Sequence, residues 1–248
     1  MLAAAAGDAR TAARLAAAGV DVVVAYHSSV LRLRGSPSVA GLLPWASANE
    51  LTLGIVADVV AASAGRPVLA TVCANDELRR PDRVLAELVE HGATGVLNAP
   101  TTALLTGPVR VALEEAGLGF AREIELMALA AAHGLRPWGY ACTPDQARAL
   151  AGHGADAVVV HLGITRAGPL TAEHLDTLAA VAAAARAARP DVALLAHGGP
   201  LADPAAFPDH GHDGVHFGFF GASVFERAPD LDKAVTAWRR ALTPDGER

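Results

Sequence analysis

The sequence has almost no lysine. Of its 20 basic residues, 19 are arginine, and Lys233 is the single lysine. This lysine lies in what the sequence predicts to be the last surface helix. A Schiff-base mechanism needs a lysine amine inside the protein, next to the substrate carbonyl. The near-absence of lysine therefore argues against a Schiff-base aldolase.

Cysteine, aromatic residues and long apolar runs are also scarce. Cys73 and Cys142 are the only cysteines, and their spacing fits neither a disulfide framework nor a zinc cluster. With 4% aromatic residues and a net charge of -6, the sequence has no basic stripe or stacking surface for nucleic acid. Charges interrupt every apolar run before the ~18 residues of a membrane span, and the start has no basic leader. We therefore expect a cytoplasmic protein with neither a nucleic-acid nor a membrane partner.

Short β-branched runs alternate with alanine-rich helical stretches along all 248 residues. This alternation is typical of successive βαβ units, and the length suits one α/β barrel of ~250 residues. The first strand is an alanine run with low strand propensity, and it is predicted from the spacing of the others. Eight strands are predicted: Leu2 to Ala6, Asp21 to Tyr26, Val68 to Cys73, Gly95 to Asn98, Pro137 to Ala141, Ala157 to His161, Val192 to His197 and Gly214 to Phe217. The fold class is thus α/β, a single (β/α)₈ TIM barrel in one domain, 1–248.

Helices are predicted between and after the strands. A glycine follows several of them, where a left-handed backbone conformation costs glycine least: Gly19, Gly65, Gly92, Gly134 and Gly154. The predicted helices are Ala9 to Ala18, Asn49 to Ala62, Pro81 to His91, Ala121 to His133, Pro144 to His153, Thr171 to Ala188, Pro204 to His210 and Leu231 to Leu242. Two connections, 27–48 and 99–120, are longer than a barrel needs and are candidate lids or oligomer contacts. Leu42, Leu43, Pro44 and Trp45 suit the interface of a homo-oligomer.

The residues that end the predicted strands are unusually polar. In barrels of this kind such residues face the mouth where substrates bind, and a purely structural barrel has no reason to gather polar groups there. They are Tyr26, His27 and Ser28; Cys73, Asn75 and Asp76; Asn98 and Thr101; Tyr140 and Cys142; His161; His197; and Gly218 with Gly221 to Ser223. We therefore predict a ligand site at this end of the barrel.

Glycines at the ends of the last two strands indicate an anion site. They let backbone N–H groups approach a ligand, and a short helix that starts near Ala222 would direct its positive end at an anion. The residues predicted to bind a phosphate or carboxylate are Ser28, Tyr140, Gly198, Gly199, Gly221, Ala222 and Ser223. The alternative is that the glycines only permit tight turns. No P-loop or dinucleotide fingerprint is present.

Two histidines are the main candidates for proton transfer. His161 or His197 can serve as general acid or base because an imidazole titrates near neutral pH; the alternative is that each only orients a loop. Glu123, which opens the helix after the fourth strand, is a second candidate base, although a carboxylate there also stabilises the helix dipole. Asn98 or His197 would donate hydrogen bonds to a developing oxyanion, and Tyr26 completes the candidate catalytic set.

Metal and thiol chemistry have fewer candidates. Asp76 is the predicted magnesium ligand, since Mg²⁺ prefers carboxylate and water oxygens, and Glu123 is the other candidate. Cys73 is a nucleophile only if a neighbouring group lowers its pKa; otherwise it is buried and inert. The histidines and aspartates of 209–216 precede the eighth strand, so we expect them on the opposite face of the barrel rather than around a metal.

Four groups of residues, in order along nearly the whole chain, resemble the phosphoenolpyruvate hydrolase-like family, also described as TIM-barrel signal-transduction proteins. They are Gly41-Leu42-Leu43-Pro44 with Ala48-Asn49; Pro67-Val68-Leu69-Ala70 with Val72-Cys73 and Asp76; Gly95 to Asn98 with Pro100-Thr101; and Phe219-Phe220-Gly221-Ala222-Ser223 with Glu226-Arg227. The resemblance implies a barrel related to phosphoenolpyruvate mutase and isocitrate lyase, which make or break C–C or C–P bonds beside an oxo acid with magnesium.

This sequence departs from that pattern at several positions. His27 and Ser29 stand where family members tend to have asparagine and glycine, and Val224 stands where a second serine is usual. The lysine-lysine-cysteine loop of the distant relatives is absent, and only Asp76 corresponds to their paired metal aspartates. We expect a hydrolase or lyase that acts on a small anionic oxo-acid, phosphate or phosphonate substrate. The alternative is a non-catalytic barrel that senses a metabolite or binds a partner.

Overall fold

The computed structural model describes residues 1–43, 46–164, 168–207 and 215–243, and these form a closed parallel barrel. Its strands pair in sequence order, and β8 closes onto β1. They are β1 (Leu2–Ala6), β2 (Val22–Ala25), β3 (Val68–Val72), β4 (Gly95–Asn98), β5 (Arg136–Ala141), β6 (Ala157–His161), β7 (Ala193–His197) and β8 (Gly218–Gly221). The predicted (β/α)₈ TIM barrel is confirmed.

Helices surround the barrel and also cover its mouth. They are α1 (Ala9–Ala18), α2 (His27–Leu33), α3 (Ala48–Ala62), α4 (Pro81–Glu90), α5 (Gly107–Glu115), α6 (Ala121–Ala132), α7 (Pro144–Gly152), α8 (Ala172–Ala188), α9 (Ser223–Glu226) and α10 (Leu231–Leu242). Short 3₁₀ turns lie at Ser38–Leu42, Thr102–Leu104 and Pro204–Ala206. Within the described part of the chain, no helix is long and apolar enough to cross a membrane.

Side chains of alternate strand residues fill the barrel interior, as the two-residue period of a strand requires. The inward residues of β1 are Ala3 and Ala5, and both are fully buried with Trp138, Tyr140 and Phe220 in the same cluster. The small residues of β1 therefore leave space for large aromatic side chains from other strands. This complementarity explains how an alanine run forms a strand despite its low intrinsic propensity.

The helix ends have the backbone conformations that the sequence predicts. The five glycines predicted to end helices all have positive φ, from 75° at Gly134 to 97° at Gly154. At the start of α7, the Thr143 side chain accepts a hydrogen bond from the Gln146 N–H and the Gln146 side chain caps in return. This reciprocal pair is a capping box, which satisfies two N–H groups that the first helical turn leaves free.

Three predictions about the elements need correction. The eighth strand is Gly218–Gly221, not Gly214 to Phe217, because Phe219 pairs with both Leu2 of β1 and Ala196 of β7; Gly214 lies outside the described residues. The helix predicted over Pro204 to His210 is a 3₁₀ turn as far as it is described. The long connections contain two helices, α2 and α5, that were not predicted.

Candidate functional site

A cavity of about 40 Å³ opens at the carboxyl ends of the strands. One water needs at least ~10–15 Å³ on this kind of measure, so the cavity suits a group of a few heavy atoms, such as a carboxylate. We call it the head pocket. Its lining includes Tyr26, His27, Ser28, Arg32, Gly41, Leu42, Pro100, Thr101, Tyr140, His161, His197, Ala222 and Ser223. The pocket therefore brings together part of the predicted set of polar strand-end residues, namely Tyr26, His27, Ser28, Thr101, Tyr140, His161, His197 and Ser223.

His161 and His197 lie side by side in the head pocket because they are register partners on adjacent strands. Their ring centroids are 4.7 Å apart in a T-shaped arrangement. Burial lowers the pKa of His197 to about 4 and lowers the pKa of His161 well below its ordinary value. Both rings are therefore neutral at pH 7, and each carries one N–H and one free lone pair.

Backbone groups fix the position of the proton on each ring. His197 Nδ1 lies 2.7 Å from the Phe220 carbonyl oxygen, which only accepts, so Nδ1 carries the proton and donates it. The Gly163 N–H donates to His161 Nδ1 over 3.1 Å, so the proton of this ring is on Nε2. His161 thus offers an N–H donor at Nε2, whereas His197 offers a lone pair at Nε2.

Tyr140 adds a hydroxyl group with no partner. Its side chain is 1% exposed, and its hydroxyl oxygen makes no hydrogen bond with the described residues. The ring packs 4.8 Å from His161 and 5.2 Å from His197. Burial, and then the neighbouring Tyr26 phenol, raise the pKa of Tyr140 well above its ordinary value, so the group remains a donor. An unpaired buried hydroxyl costs ~1–3 kcal/mol, which a ligand oxygen in this pocket would recover.

Arg32 is the cationic side chain in the head-pocket lining, and the sequence analysis did not identify it. It lies in α2, where Nε and Nη2 donate to the two carboxylate oxygens of Glu226 in α9. Nη2 also donates to Ser29 Oγ over 2.9 Å. Both members of the Arg32–Glu226 pair are 6% exposed. No hydrogen bond among the described residues uses Nη1, so this nitrogen is available to a ligand.

The first residue of α2, His27, is a third buried histidine in the head-pocket lining. His27 Nε2 donates to the Gly41 carbonyl over 3.1 Å, and Nδ1 lies 3.2 Å from the Thr71 hydroxyl. Burial lowers the pKa of His27 to about 4. A Cβ atom on Gly41 would lie 1.9 Å from Ser28 Oγ, so only glycine fits here. Both Ser28 and Gly41 line the head pocket.

Glu123 and Asn98 lie behind the pocket wall rather than in it. Glu123 is fully buried; it accepts from Asn98 Nδ2 and Thr101 Oγ1 at 2.6 Å each, and from the Thr102 N–H and hydroxyl at 2.7 and 2.6 Å. Asn98 Oδ1 accepts from the Tyr140 N–H over 2.6 Å. Burial raises the pKa of Glu123 to about 7, against the lowering effect of these donors. The geometry gives both residues a positioning role instead of the predicted contact with substrate.

The predicted anion-binding glycines pack against protein. The Gly199 N–H donates to the Gly163 carbonyl over 2.8 Å, so this amide is already engaged. A Cβ on Gly198 would lie 2.3 Å from the same carbonyl, and one on Gly221 would lie 2.2 Å from the Phe225 ring. None of the three lines the head pocket, whereas Ala222 and Ser223 do. A short helix, α9, begins at Ser223 as predicted.

Asp76 lies away from the head pocket, and its oxygens have protein partners. Oδ2 accepts from Asn49 Nδ2 at 2.9 Å and from Ser47 Oγ at 3.3 Å, and Oδ1 accepts from the Leu78 N–H at 2.8 Å. Among the residues of known placement, no three His, Cys, Asp or Glu side chains are grouped to hold a metal. The donor set therefore does not fit the predicted magnesium ion.

The remaining candidates either lie outside the described residues or are protonated thiols. Asp209, His210, His212 and Asp213 lie outside the described residues, as do Pro44 and Trp45 of the predicted interface. Burial raises the pKa of the Cys73 thiol to about 11 and that of Cys142 to about 12. Both thiols are thus protonated at neutral pH and inert as nucleophiles.

Comparisons with known proteins give the chain its relatives. A family model described as phosphoenolpyruvate hydrolase-like matches residues 1–243. The chain is 42% identical over 230 residues to the ToMV resistance protein Tm-1(GCR237) of Solanum lycopersicum. The matched region covers 89% of this chain and 30% of that protein. The ToMV susceptible protein tm-1(GCR26) of the same plant matches with the same identity and coverage. The chain thus spans about a third of the length of these relatives.

Solved structures share the fold at low sequence identity. A phosphonopyruvate hydrolase complex with oxalate and Mg++ has a TM-score of 0.60 and 15% identity, over 97% of this chain and 80% of that one. A phosphoenolpyruvate phosphomutase from Streptomyces platensis subsp. rosaceus has a TM-score of 0.58 and 16% identity, over 99% of this chain and 83% of that one. At these identities the likeness shows the fold alone.

Proposed function

The chain belongs to the phosphoenolpyruvate hydrolase-like family, and we propose that its head pocket binds a small anionic oxo-acid, phosphate or phosphonate and acts on it by acid–base chemistry. The reaction would make or break a C–C, C–O or C–P bond. The observation that carries this proposal is the neutral His161–His197 pair, with its rings 4.7 Å apart and opposite protonation at the two Nε2 atoms. Such a pair presents one proton donor and one proton acceptor to the same small ligand.

Arg32 and the start of α9 would hold the anionic end of the ligand. Arg32 Nη1 is free of partners among the described residues, and Arg binds carboxylate and phosphate through planar N–H donors. Ser28 and Ser223 add hydroxyl groups to the same lining. The N–H groups of Ser223 and Val224 make no hydrogen bond with the described residues, and the first turn of a helix favours negative charge.

The histidine pair would then move the proton. His197 Nε2, the free lone pair, would take a proton from the carbon or water beside the carbonyl group. His161 Nε2–H and the Tyr140 hydroxyl would donate to the oxygen on which negative charge develops, as an oxyanion hole does. Tyr26 lies under the Arg32 guanidinium, with Cζ 5.4 Å from the ring centroid, and would orient that cation. No step in this scheme depends on magnesium, because the described donor set does not fit it.

A second candidate function is ligand sensing without turnover. The curated relatives are named as virus-resistance and virus-susceptibility proteins, and this chain corresponds to 30% of their length. A barrel that forms part of a longer protein suits a sensing module, and a sensor would use the same head pocket. The two functions differ in whether the ligand is consumed.

Turnover assays distinguish the two functions. Pyruvate, oxaloacetate, phosphonopyruvate and phosphoenolpyruvate would each be incubated with the protein and followed by ¹H and ³¹P NMR. We expect one of them to be consumed, and we expect His161→Gln to reduce its turnover by ~10²-fold or more. His153→Gln is the matched control, since His153 is exposed on α7's C-terminal end. Binding of an acid without consumption would favour the sensor, and full turnover by His161→Gln would remove His161 as the donor to the developing oxyanion.

A further inference from the structure

A second, larger cavity of about 460 Å³ lies beside the head pocket. The two cavities share four lining residues, His27, Gly41, Leu42 and Pro100. We call the larger one the side chamber. Ligand sites in proteins typically measure ~300–1,000 Å³, so the side chamber is of ligand size, whereas the head pocket alone is not.

The side chamber has a largely aliphatic lining. It is formed by the loops after β2 and β3 together with α2, α3 and α5, and its apolar residues include Leu31, Leu42, Leu43, Leu51 and Leu113. Among the described residues, its lining contains no arginine or lysine, and the two charged residues are Asp76 and Glu77. The chamber therefore disfavours a second anionic group and favours an apolar one.

Apolar side chains at the edge of the chamber are exposed without a ligand. Leu78 is 85% exposed and Leu43 is 46% exposed. Leu113 belongs to α5, a helix with no buried residue. Since burial of apolar surface stabilises by ~25 cal/mol per Å², an apolar occupant would gain free energy by covering these side chains.

One polar atom in the chamber lining also lacks a partner. Asn75 Oδ1 is buried and makes no hydrogen bond with the described residues. A carboxamide oxygen only accepts, so it would be satisfied by an N–H or O–H group. Asn75 lines the side chamber and does not line the head pocket, so this acceptor lies away from the proposed site of the anionic end.

We infer that the ligand of the head pocket is a substituted oxo acid, with its carboxylate in the head pocket and an apolar substituent in the side chamber. This inference rests on the proposed function and narrows its substrate class. We treat the two cavities as the two parts of one site because they share four lining residues. A three-carbon acid would then fill the smaller part and leave the aliphatic lining in water. A hydrogen-bond donor at the end of the substituent would pair with Asn75.

Isothermal titration calorimetry with unbranched 2-oxo acids tests the inference. Pyruvate, 2-oxobutanoate, 2-oxopentanoate and 2-oxohexanoate have the same anionic end and differ only in methylene groups. A buried methylene is worth about fourfold in affinity, so we expect 2-oxohexanoate to bind at least ~10-fold more tightly than pyruvate. Affinities that are equal or fall with chain length, while pyruvate binds, overturn the inference and leave the proposed function standing. If none of the four acids binds, the inference is overturned, and the turnover assays with phosphonopyruvate and phosphoenolpyruvate decide the proposed function separately.

Matched variants on α5 locate the effect. Leu113→Gln puts a polar side chain in the chamber wall, and we expect it to reduce the advantage of 2-oxohexanoate over pyruvate to less than ~3-fold while pyruvate binding is unchanged. Val109→Gln is the control, because Val109 is 59% exposed on the same helix and does not line the chamber. If Leu113→Gln still binds 2-oxohexanoate more tightly than pyruvate by the original factor, or if Val109→Gln loses this preference equally, the substituent binds elsewhere and the inference is overturned.

Discussion

His161 and His197 hold opposite tautomers within one pocket. The Phe220 carbonyl accepts from Nδ1 of His197, whereas the Gly163 N–H donates to Nδ1 of His161. The two Nε2 atoms therefore differ in protonation although the residues are of one type and occupy paired positions on adjacent strands. The asymmetry comes from the backbone rather than from the side chains, so it exists before any ligand binds.

This asymmetry is directly measurable. In ¹⁵N-labelled protein at pH 7, long-range ¹H–¹⁵N correlation spectra should show His197 protonated at Nδ1 and His161 at Nε2. Because burial lowers the pKa of His197 to about 4 and that of His161 well below its ordinary value, neither ring should titrate between pH 8 and about 5. The same tautomer on both rings, or a titration midpoint near the ordinary imidazole value, would contradict the assignment of proton donor and acceptor.

Arg32 should be required for anion binding. A single change at Arg32 would leave Glu226 buried without a partner, which typically costs ~3–5 kcal/mol, so the informative variant is the double change Arg32→Met with Glu226→Met. We expect this variant to fold, since replacing both members of a buried pair is often neutral, and to bind pyruvate at least ~10-fold more weakly. Arg14→Met with Asp232→Met removes an exposed pair that lines neither cavity and is the control. Unchanged pyruvate affinity in the Arg32–Glu226 variant would show that the anion binds elsewhere.

Gly41 should tolerate no side chain. A Cβ there would overlap Ser28 Oγ and come within 3.4 Å of His27 Nε2, so Gly41→Ala must displace the loop that forms one wall of the head pocket. We expect weaker pyruvate binding and a loss of ~1–3 kcal/mol in the free energy of unfolding. Gly54→Ala is the control: its Cβ meets nothing within 4 Å, and in the middle of α3 alanine should stabilise by ~0.5–1 kcal/mol. Equal effects of the two changes would show that Gly41 has no special contact.

Glu123 should matter for stability and for the shape of the pocket wall. Glu123→Gln replaces an acceptor oxygen with an NH₂ group, which then faces N–H and O–H donors from the loop after β4. We expect a loss of ~1–3 kcal/mol in the free energy of unfolding, measured by urea denaturation. Glu125→Gln, at an exposed position of the same helix, should change it by less than ~0.5 kcal/mol. A Glu123→Gln protein as stable as the parent would contradict the network.

Stability should fall on acidification. Burial lowers the pKa of His27 and of His197 from the ordinary value of 6.5 to about 4, so between pH 6.5 and 4 the unfolded chain binds protons that the folded protein does not. Stability is then fully present above pH 6.5 and is lost as the pH falls. Glu123 opposes this, because its pKa is raised from 4.5 to about 7 and its contribution is lost as the pH rises through that range.

Two histidines, His27 and His197, oppose the single carboxyl group of Glu123, so the net change in the free energy of unfolding with pH has the sign set by the histidines. Each unmatched proton changes the free energy of unfolding by ~1.4 kcal/mol per pH unit. Urea denaturation at pH 7, 6 and 5 should give decreasing stability, and His197→Gln should reduce the slope. A stability that is constant or increases from pH 7 to 5 would contradict the burial of these histidines in neutral form.

The sequence predicted the barrel because its signals are local. The β-branched runs and the glycines after helices depend on neighbouring residues, and Gly19 and Gly154 have the left-handed conformation predicted for them. β8 was misplaced because Gly218–Gly221 contains two glycines and has no β-branched residue. These residues form a strand because they pair with β1, more than two hundred residues away in the chain. The local sequence pattern does not indicate this pairing.

The sequence predicted the site residues that lie at strand ends. It did not predict the residue whose place in the site depends on a contact with a distant part of the chain. His161, His197 and Tyr140 follow from their positions at strand ends. Arg32 does not, because the sequence around it differs little from that around Arg34, which is exposed. Arg32 lies in the site because it pairs with Glu226, 194 residues away, and because it belongs to helix α2, which was not predicted. The sequence likewise did not show that the carboxylate oxygens of Glu123 and Asp76 already accept hydrogen bonds from other residues of the protein.

The pairing of Arg32 with Glu226 has a consequence for the kinetics of ligand capture. The cation that would meet an incoming acid is already neutralised, and the whole chain carries a net charge of -6, so no long-range attraction steers an acid toward the barrel. Selection then occurs after collision, through hydrogen bonds inside the head pocket. The association rate constant should accordingly change little with ionic strength, and differences among acids should reside in how slowly each one leaves.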